Sequence, residues 1–135
     1  MQKQVFILRG VPGCGKSTLA DTLLQIGISS TNCCADDWFM QDGEYKFDFK
    51  KLGYAHLACQ HKFETALLDE VETIVVSNTS TRATDVNWYR NKAMEAGYRV
   101  TVLTVENWHN GIDLHNVPDT TKEIMKGQLL NSIKL

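Results

Sequence analysis

Gly10-Val11-Pro12-Gly13-Cys14-Gly15-Lys16-Ser17 fits the pattern G-x-x-x-x-G-K-[ST] without a substitution. The apolar run Val5-Phe6-Ile7-Leu8 precedes it, and Thr18-Leu19-Ala20-Asp21-Thr22-Leu23-Leu24 follows. The flanks predict a buried strand and then an amphipathic helix, with Leu19, Leu23 and Ile26 spaced to face a sheet. Gly10, Gly13 and Gly15 permit backbone angles closed to other residues, so main-chain N–H groups can converge on an anion. A helix starting near Gly15 adds its unbonded first-turn N–H groups and the positive end of its dipole. Lys16 supplies a full charge for the β- and γ-phosphates of a nucleotide, the Ser17 hydroxyl a ligand for Mg²⁺, and Thr18 a further polar edge. The expected phosphate site is therefore Gly10, Pro12, Gly13, Cys14, Gly15, Lys16, Ser17 and Thr18, and the stretch reads as a P-loop.

The rest of the chain is consistent with one domain over residues 1–135. A hydrophobic content of 43% and a charged content of 22% are those of an ordinary globular protein. Fourteen Lys and Arg against 16 Asp and Glu leave a net charge of −2, which argues against a broad basic face for duplex nucleic acid. The four cysteines, Cys14, Cys33, Cys34 and Cys59, form no C-x-x-C pair and no zinc spacing, so free thiols are expected. The chain enters its first strand without a charged-then-apolar leader, and no apolar run reaches the ~18 residues of a membrane span. A cytoplasmic location without membrane contact is the expectation.

After the first helix, Gly27 and Ser29-Ser30-Thr31-Asn32 punctuate the chain, and Cys33-Cys34-Ala35 reads as a short second strand. It is expected beside the P-loop strand and stops at Asp36-Asp37. Carboxylates at that end of a strand lie on the ligand-binding edge of an open parallel sheet, which favours a functional pair over the helix cap or Asx-turn that Asp also suits. Residues 38–48 mix aromatics and charges without a period and read as a loop turning at Asp42-Gly43, whose rings either stack on an acceptor or pack the loop down. Leu52, Ala55, Cys59, Phe63, Ala66 and Leu67 recur at helical spacing over 50–70. His56 and His61 lack a second ligand at i+4.

Thr73-Ile74-Val75-Val76 reads as a buried strand leading to Ser77-Asn78-Thr79-Ser80-Thr81-Arg82, where many P-loop enzymes carry a metal-water carboxylate and this chain has none. Asp85 opens a helix ending at Gly97, residues 98–105 alternate as a half-buried strand, and Val117-Pro118 opens a last helix carrying Ile124, Met125, Leu129 and Ile133. The alternation implies an α/β fold of the P-loop NTPase type: about four parallel strands, helices on both faces, right-handed crossovers.

With these residues in view, the chain resembles the small P-loop kinases that include the bacteriophage-type polynucleotide 5′-hydroxyl kinases. The marks are Leu8 to Ala20, the Ala35-Asp36-Asp37-Trp38-Phe39 corner, Ala55-His56, Ser77-Asn78-Thr79, Gly97-Tyr98, and His115-Asn116-Val117-Pro118 with Met125. The resemblance implies transfer of the γ-phosphoryl group of ATP or GTP, with Mg²⁺, to a hydroxyl acceptor such as a nucleic acid 5′ end or a nucleoside-like molecule. It implies Asp36 as general base with Asp37 as the alternate, Asn78 beside the acceptor, and Lys16 on the transferring phosphate. One departure stands out. The lid arginines usual upstream of the His-x-Val-Pro element are missing, and Gly111 and Ile112 fall in their place. An arginine finger is worth about 10³ to 10⁵ in rate. Arg82, Lys122 or Lys126 then substitutes, with His109 a poor candidate at neutral pH; or a protein partner or second subunit supplies the charge. The remaining alternative is a nucleotide-binding regulatory or interaction protein that has lost its lid.

Overall fold

The computed structural model describes residues 2–11, 14–80, 82–106, 123–125 and 127–129. Strand β1 (Gln4–Arg9) leads into helix α1 (Lys16–Leu23), and strand β2 (Ser30–Cys33) into a 3-10 helix over Ala35–Phe39. A small hairpin pairs β3 (Met40–Gln41) with β4 (Glu44–Tyr45), and a 3-10 turn over Phe49–Lys51 enters helix α2 (Leu52–Leu68). Strand β5 (Thr73–Val76), helix α3 (Ala83–Glu95) and strand β6 (Arg99–Thr104) complete the series.

The four long strands form one parallel sheet in the order β2-β5-β1-β6. Alternation along the strands sends side chains to opposite faces. On one face Val5, Ile7, Ile74 and Val76 pack against Ala55, Cys59, Phe63 and Ala66 of α2 and Val86, Tyr89 and Ala93 of α3. On the other face Leu8 and Val75 pack against Ala20, with Phe6, Leu19, Leu23 and Leu103 around them. Phe63 is fully buried, which stabilises the fold by about 1.5–3 kcal/mol, and it meets Tyr89 edge-on at 5.0 Å between centroids. The fold is the expected α/β architecture of the P-loop NTPase type.

Four expectations change. The second strand is Ser30–Cys33 rather than 33–35, and its neighbour is β5, not the P-loop strand. As an edge strand it carries polar residues, and Ser77 Oγ donates to Asn32 Oδ1 at 2.9 Å beside the ladder. The stretch 38–48 contains a hairpin, because Asp42 and Gly43 both take positive φ (51° and 81°), the geometry of a two-residue type I′ turn. Ile26 lies beyond the end of α1 and is 43% exposed, so only Leu19 and Leu23 of the predicted stripe reach the sheet. In the last segment Leu129 is buried but Ile124 faces solvent; Val117, Pro118 and Ile133 lie outside the described residues.

Candidate functional site

Because the sheet is parallel, the segments that follow β1, β2, β5 and β6 all emerge on one edge. The phosphate loop follows β1. Gly15 has φ +98° at the N-cap of α1, a left-handed angle that a side chain makes costly. Gly10 is fixed by crowding instead: a Cβ there would collide with Cys14 Sγ and stand 2.8 Å from the Val105 carbonyl oxygen. The chain closes on itself through Cys14 N–H to the Val11 carbonyl (3.2 Å) and Leu19 N–H to the Gly15 carbonyl (3.2 Å). Pro12 and Gly13 lie outside the described residues.

Lys16 lies across this loop, its Nζ donating to the Gly10 carbonyl at 2.8 Å and reaching the Val11 carbonyl at 3.5 Å. These neutral acceptors hold the ammonium at the loop mouth, where phosphate oxygens can replace them. Ser17 and Thr18 stand exposed in the first turn of α1. Cys14 is buried beneath the loop.

Asp36 and Asp37 sit in the first turn of the 3-10 helix after β2, with Cys34 rather than an aspartate at the N-cap. Asp36 is half-buried and its Oδ1 accepts from the Tyr45 hydroxyl at 3.2 Å, while Asp37 is exposed. The hairpin therefore serves the acidic turn: Phe39 is buried against Tyr45 and Phe47, which positions the phenol over Asp36. Trp38 projects outward and stacks with Tyr54 of α2 at 6.4 Å. The role of Tyr45 had no signal in the sequence, since it depends on a hairpin made of two-residue strands.

Asn78 lies just past β5, between the two segments. Its Oδ1 accepts from the Ala35 N–H at 2.8 Å, and its Nδ2 donates to the Tyr89 hydroxyl at 3.4 Å and to Cys59 Sγ at 3.5 Å. Next to it the Thr79 carbonyl accepts from the Gly10 N–H at 3.0 Å. Ser80 takes φ +50°, a left-handed angle that costs a serine about 1–2 kcal/mol, and its carbonyl accepts from Nε of the buried Arg9 at 2.8 Å. Burial pulls the Arg9 guanidinium below its ordinary pKa, opposed by the Asp85 carboxylate.

The thiols of Cys33 and Cys34 are pushed up by burial, to about 12 and about 11. All four cysteines are free, as expected. Arg82, a candidate replacement for the missing lid arginine, is exposed and ion-paired with Asp85 at 3.1 Å. Lys122, Lys126, His109, Gly111, Ile112 and the His115-Asn116-Val117-Pro118 element lie outside the described residues. Among the described residues no helix is long and apolar enough to cross a membrane.

The chain is 34% identical over 102 residues to human NEDD4-binding protein 2, an alignment covering 76% of this chain and 6% of that relative. In structure it is similar to a chain of the Pnkp1/Rnl/Hen1 RNA repair complex, with a TM-score of 0.75 and 18% identity over 98% of this chain and 45% of that one. It is also similar to the Mycobacterium tuberculosis APS kinase CysC in complex with AMPPNP and APS, with a TM-score of 0.53 and 19% identity over 96% of this chain and 72% of that one. At these identities the two structures speak to the fold alone, an α/β fold of the P-loop NTPase type. Residues 6–75, from β1 through the phosphate loop and acidic turn into β5, match the family model of the viral superfamily 1 RNA helicase core domain, and the chain belongs to that family of P-loop nucleotide-binding domains.

Proposed function

We propose that this chain is a phosphotransferase that moves the γ-phosphoryl group of ATP or GTP to a hydroxyl acceptor, a polynucleotide 5′-hydroxyl or a nucleoside-like alcohol. The observation that carries the reading is the acidic turn on the same sheet edge as the phosphate loop, with the half-buried Asp36 held by the Tyr45 hydroxyl. Phosphoryl transfer passes through a loose transition state, so the protein's contribution is alignment and charge neutralisation. Gly10, Cys14, Gly15 and Thr18, with Pro12 and Gly13, would cradle the phosphates; Lys16 would neutralise β- and γ-phosphate oxygens; Ser17 would hold a nucleotide-bound Mg²⁺, which would supply further charge neutralisation. Asp36 accepts the proton of the acceptor hydroxyl as its oxygen bonds to the γ-phosphorus and the bond to the β-phosphate oxygen breaks, leaving the nucleoside diphosphate. Asp37 is the alternate base.

The exposed rings of Trp38, two residues after Asp36, and of Tyr54 in α2, stacked on each other, favour an acceptor that carries a planar base. Likeness to a chain of an RNA repair complex supports the polynucleotide form, and likeness to an APS kinase supports a nucleoside-like one. The test is transfer of labelled γ-phosphate from ATP and GTP, with Mg²⁺, to 5′-hydroxyl oligonucleotides and nucleosides. Label in an acceptor supports the reading, and label released only as inorganic phosphate overturns it.

A second reading is a nucleotide-binding protein with little turnover, acting through a protein partner or a second copy of the chain. It is favoured by Arg82, whose guanidinium is committed to Asp85, and by the absence of a carboxylate at Asn78. Nucleotide-dependent thermal stabilisation without any label transfer selects it.

A further inference from the structure

The sheet order puts the end of β5 between the phosphate loop and the acidic turn, and the segment is hydrogen-bonded to both. Toward β1, the Thr79 carbonyl accepts from Gly10 N–H at 3.0 Å and the Ser80 carbonyl from Arg9 Nε at 2.8 Å. Toward β2, Asn78 Oδ1 accepts from Ala35 N–H at 2.8 Å, the first residue of the 3-10 turn that carries Asp36 and Asp37. Behind it, the Nδ2 of Asn78 is anchored on the Tyr89 hydroxyl and Cys59 Sγ, and Tyr89 also donates to Cys59 Sγ at 3.3 Å. Tyr89 and Cys59 are both buried in the core. The amide thus faces the scaffold at both ends, which is the arrangement of a group that holds backbone rather than ligand.

We propose that Asn78 is a positioning residue: through the Ala35 N–H it sets the turn bearing Asp36, and through the adjoining Thr79 carbonyl it ties that turn to the nucleotide cradle. This differs from a role in contacting the acceptor, and its catalytic consequence rests on the phosphotransferase reading above. A buried N–H that loses its acceptor either stays unsatisfied or moves, and the turn moves with it. The cradle keeps its own link because Thr79 acts through its backbone.

The experiment is amide hydrogen exchange, resolved to the Ala35–Phe39 segment, on the wild-type protein, Asn78→Leu, Asn78→Asp and Tyr89→Phe, with nucleotide affinity and transfer measured in parallel. Asn78→Leu, which removes the acceptor, is expected to speed exchange in the turn at least tenfold while leaving β5 and α1 protected. It should keep the ATP dissociation constant within about twofold and lower kcat for transfer by one to two orders of magnitude. Asn78→Asp keeps an acceptor for the Ala35 N–H and should restore protection and most of the rate; Tyr89→Phe should fall between. If Asn78→Leu unfolds the whole chain, the Asn78→Asp and Tyr89→Phe pair still reads the anchor, and equal turn protection in wild type and Tyr89→Phe overturns the proposal. So does unchanged exchange in a folded Asn78→Leu, or a change in acceptor KM alone. A wild-type protein that transfers nothing removes the phosphotransferase reading, while the exchange data still decide whether Asn78 holds the turn.

Discussion

The main-chain N–H of Gly10 donates to the carbonyl of Thr79 at 3.0 Å, joining the first residue of the phosphate loop to the segment that follows β5. On the other side of Gly10 a Cβ would stand 2.8 Å from the Val105 carbonyl oxygen and against Cys14 Sγ. Backbone on both sides leaves no room to relax. Gly10→Ala is therefore expected to destabilise the fold by about 1–3 kcal/mol, the usual cost of overpacking, and to abolish the nucleotide-induced thermal shift. Denaturant unfolding with and without Mg-ATP checks it.

Lys16 Nζ bonds within its own loop, to the Gly10 and Val11 carbonyls and to Cys14 Sγ at 4.0 Å. Lys16→Ala should keep the melting temperature of the unliganded protein within about 2 °C and lose nucleotide binding. At a ligand concentration of 100 times the dissociation constant the wild type gains about 2.7 kcal/mol, and the variant should gain none. Calorimetric titration with ATP measures both.

The Tyr45 hydroxyl and Asp36 carboxylate meet at 3.2 Å. Hydrogen bonds to charged groups contribute about 1.5–3 kcal/mol, so Tyr45→Phe loosens the hold on Asp36 at a cost of that order or less. Transfer is expected to fall about tenfold with ATP affinity unchanged. Equal rates in the two proteins, measured in single turnover, would remove Tyr45 from the account.

Burial raises the thiols of Cys33 and Cys34 from an ordinary value of 9.0 to about 12 and about 11. The unfolded chain releases these protons at lower pH than the native one, so stability has a negative slope with pH between them. Stability is full below about pH 9 and is lost as pH rises through about 11 to 12. Urea unfolding from pH 8 to 11 should show the decline, and a Cys34→Ala variant should show a shallower one. At neutral pH a thiol reagent should label Cys33 and Cys34 only on unfolding.

The phosphate loop was legible because its chemistry needs fixed residue types at fixed spacing within eight positions, and the flanking strand and helix announce themselves by periodicity. The β5 strand, Thr73–Val76, was legible for the same reason, being four consecutive buried apolar or β-branched residues. Strand order was not. It is decided by pairing across long separations, such as Ser30 with Thr73, and β2 hides its strand character behind polar edge residues. The aspartates could be read from their place after a strand, but their supports could not. Asn78 reaches Ala35 across 43 positions, and Tyr45 reaches Asp36 only because Asp42 and Gly43 turn the chain back.

The central claim is that Asp36 takes the proton of an acceptor hydroxyl while the phosphate loop holds the nucleotide. Its most direct test is single-turnover transfer of labelled γ-phosphate to a 5′-hydroxyl oligonucleotide by the wild type and by Asp36→Asn, with ATP affinity measured on the same preparations. General-base catalysis contributes about 10² to 10⁴ in rate, so the variant should bind ATP normally and transfer at least a hundredfold more slowly. Transfer by Asp36→Asn at the wild-type rate would contradict the account and move the proton acceptor away from that residue.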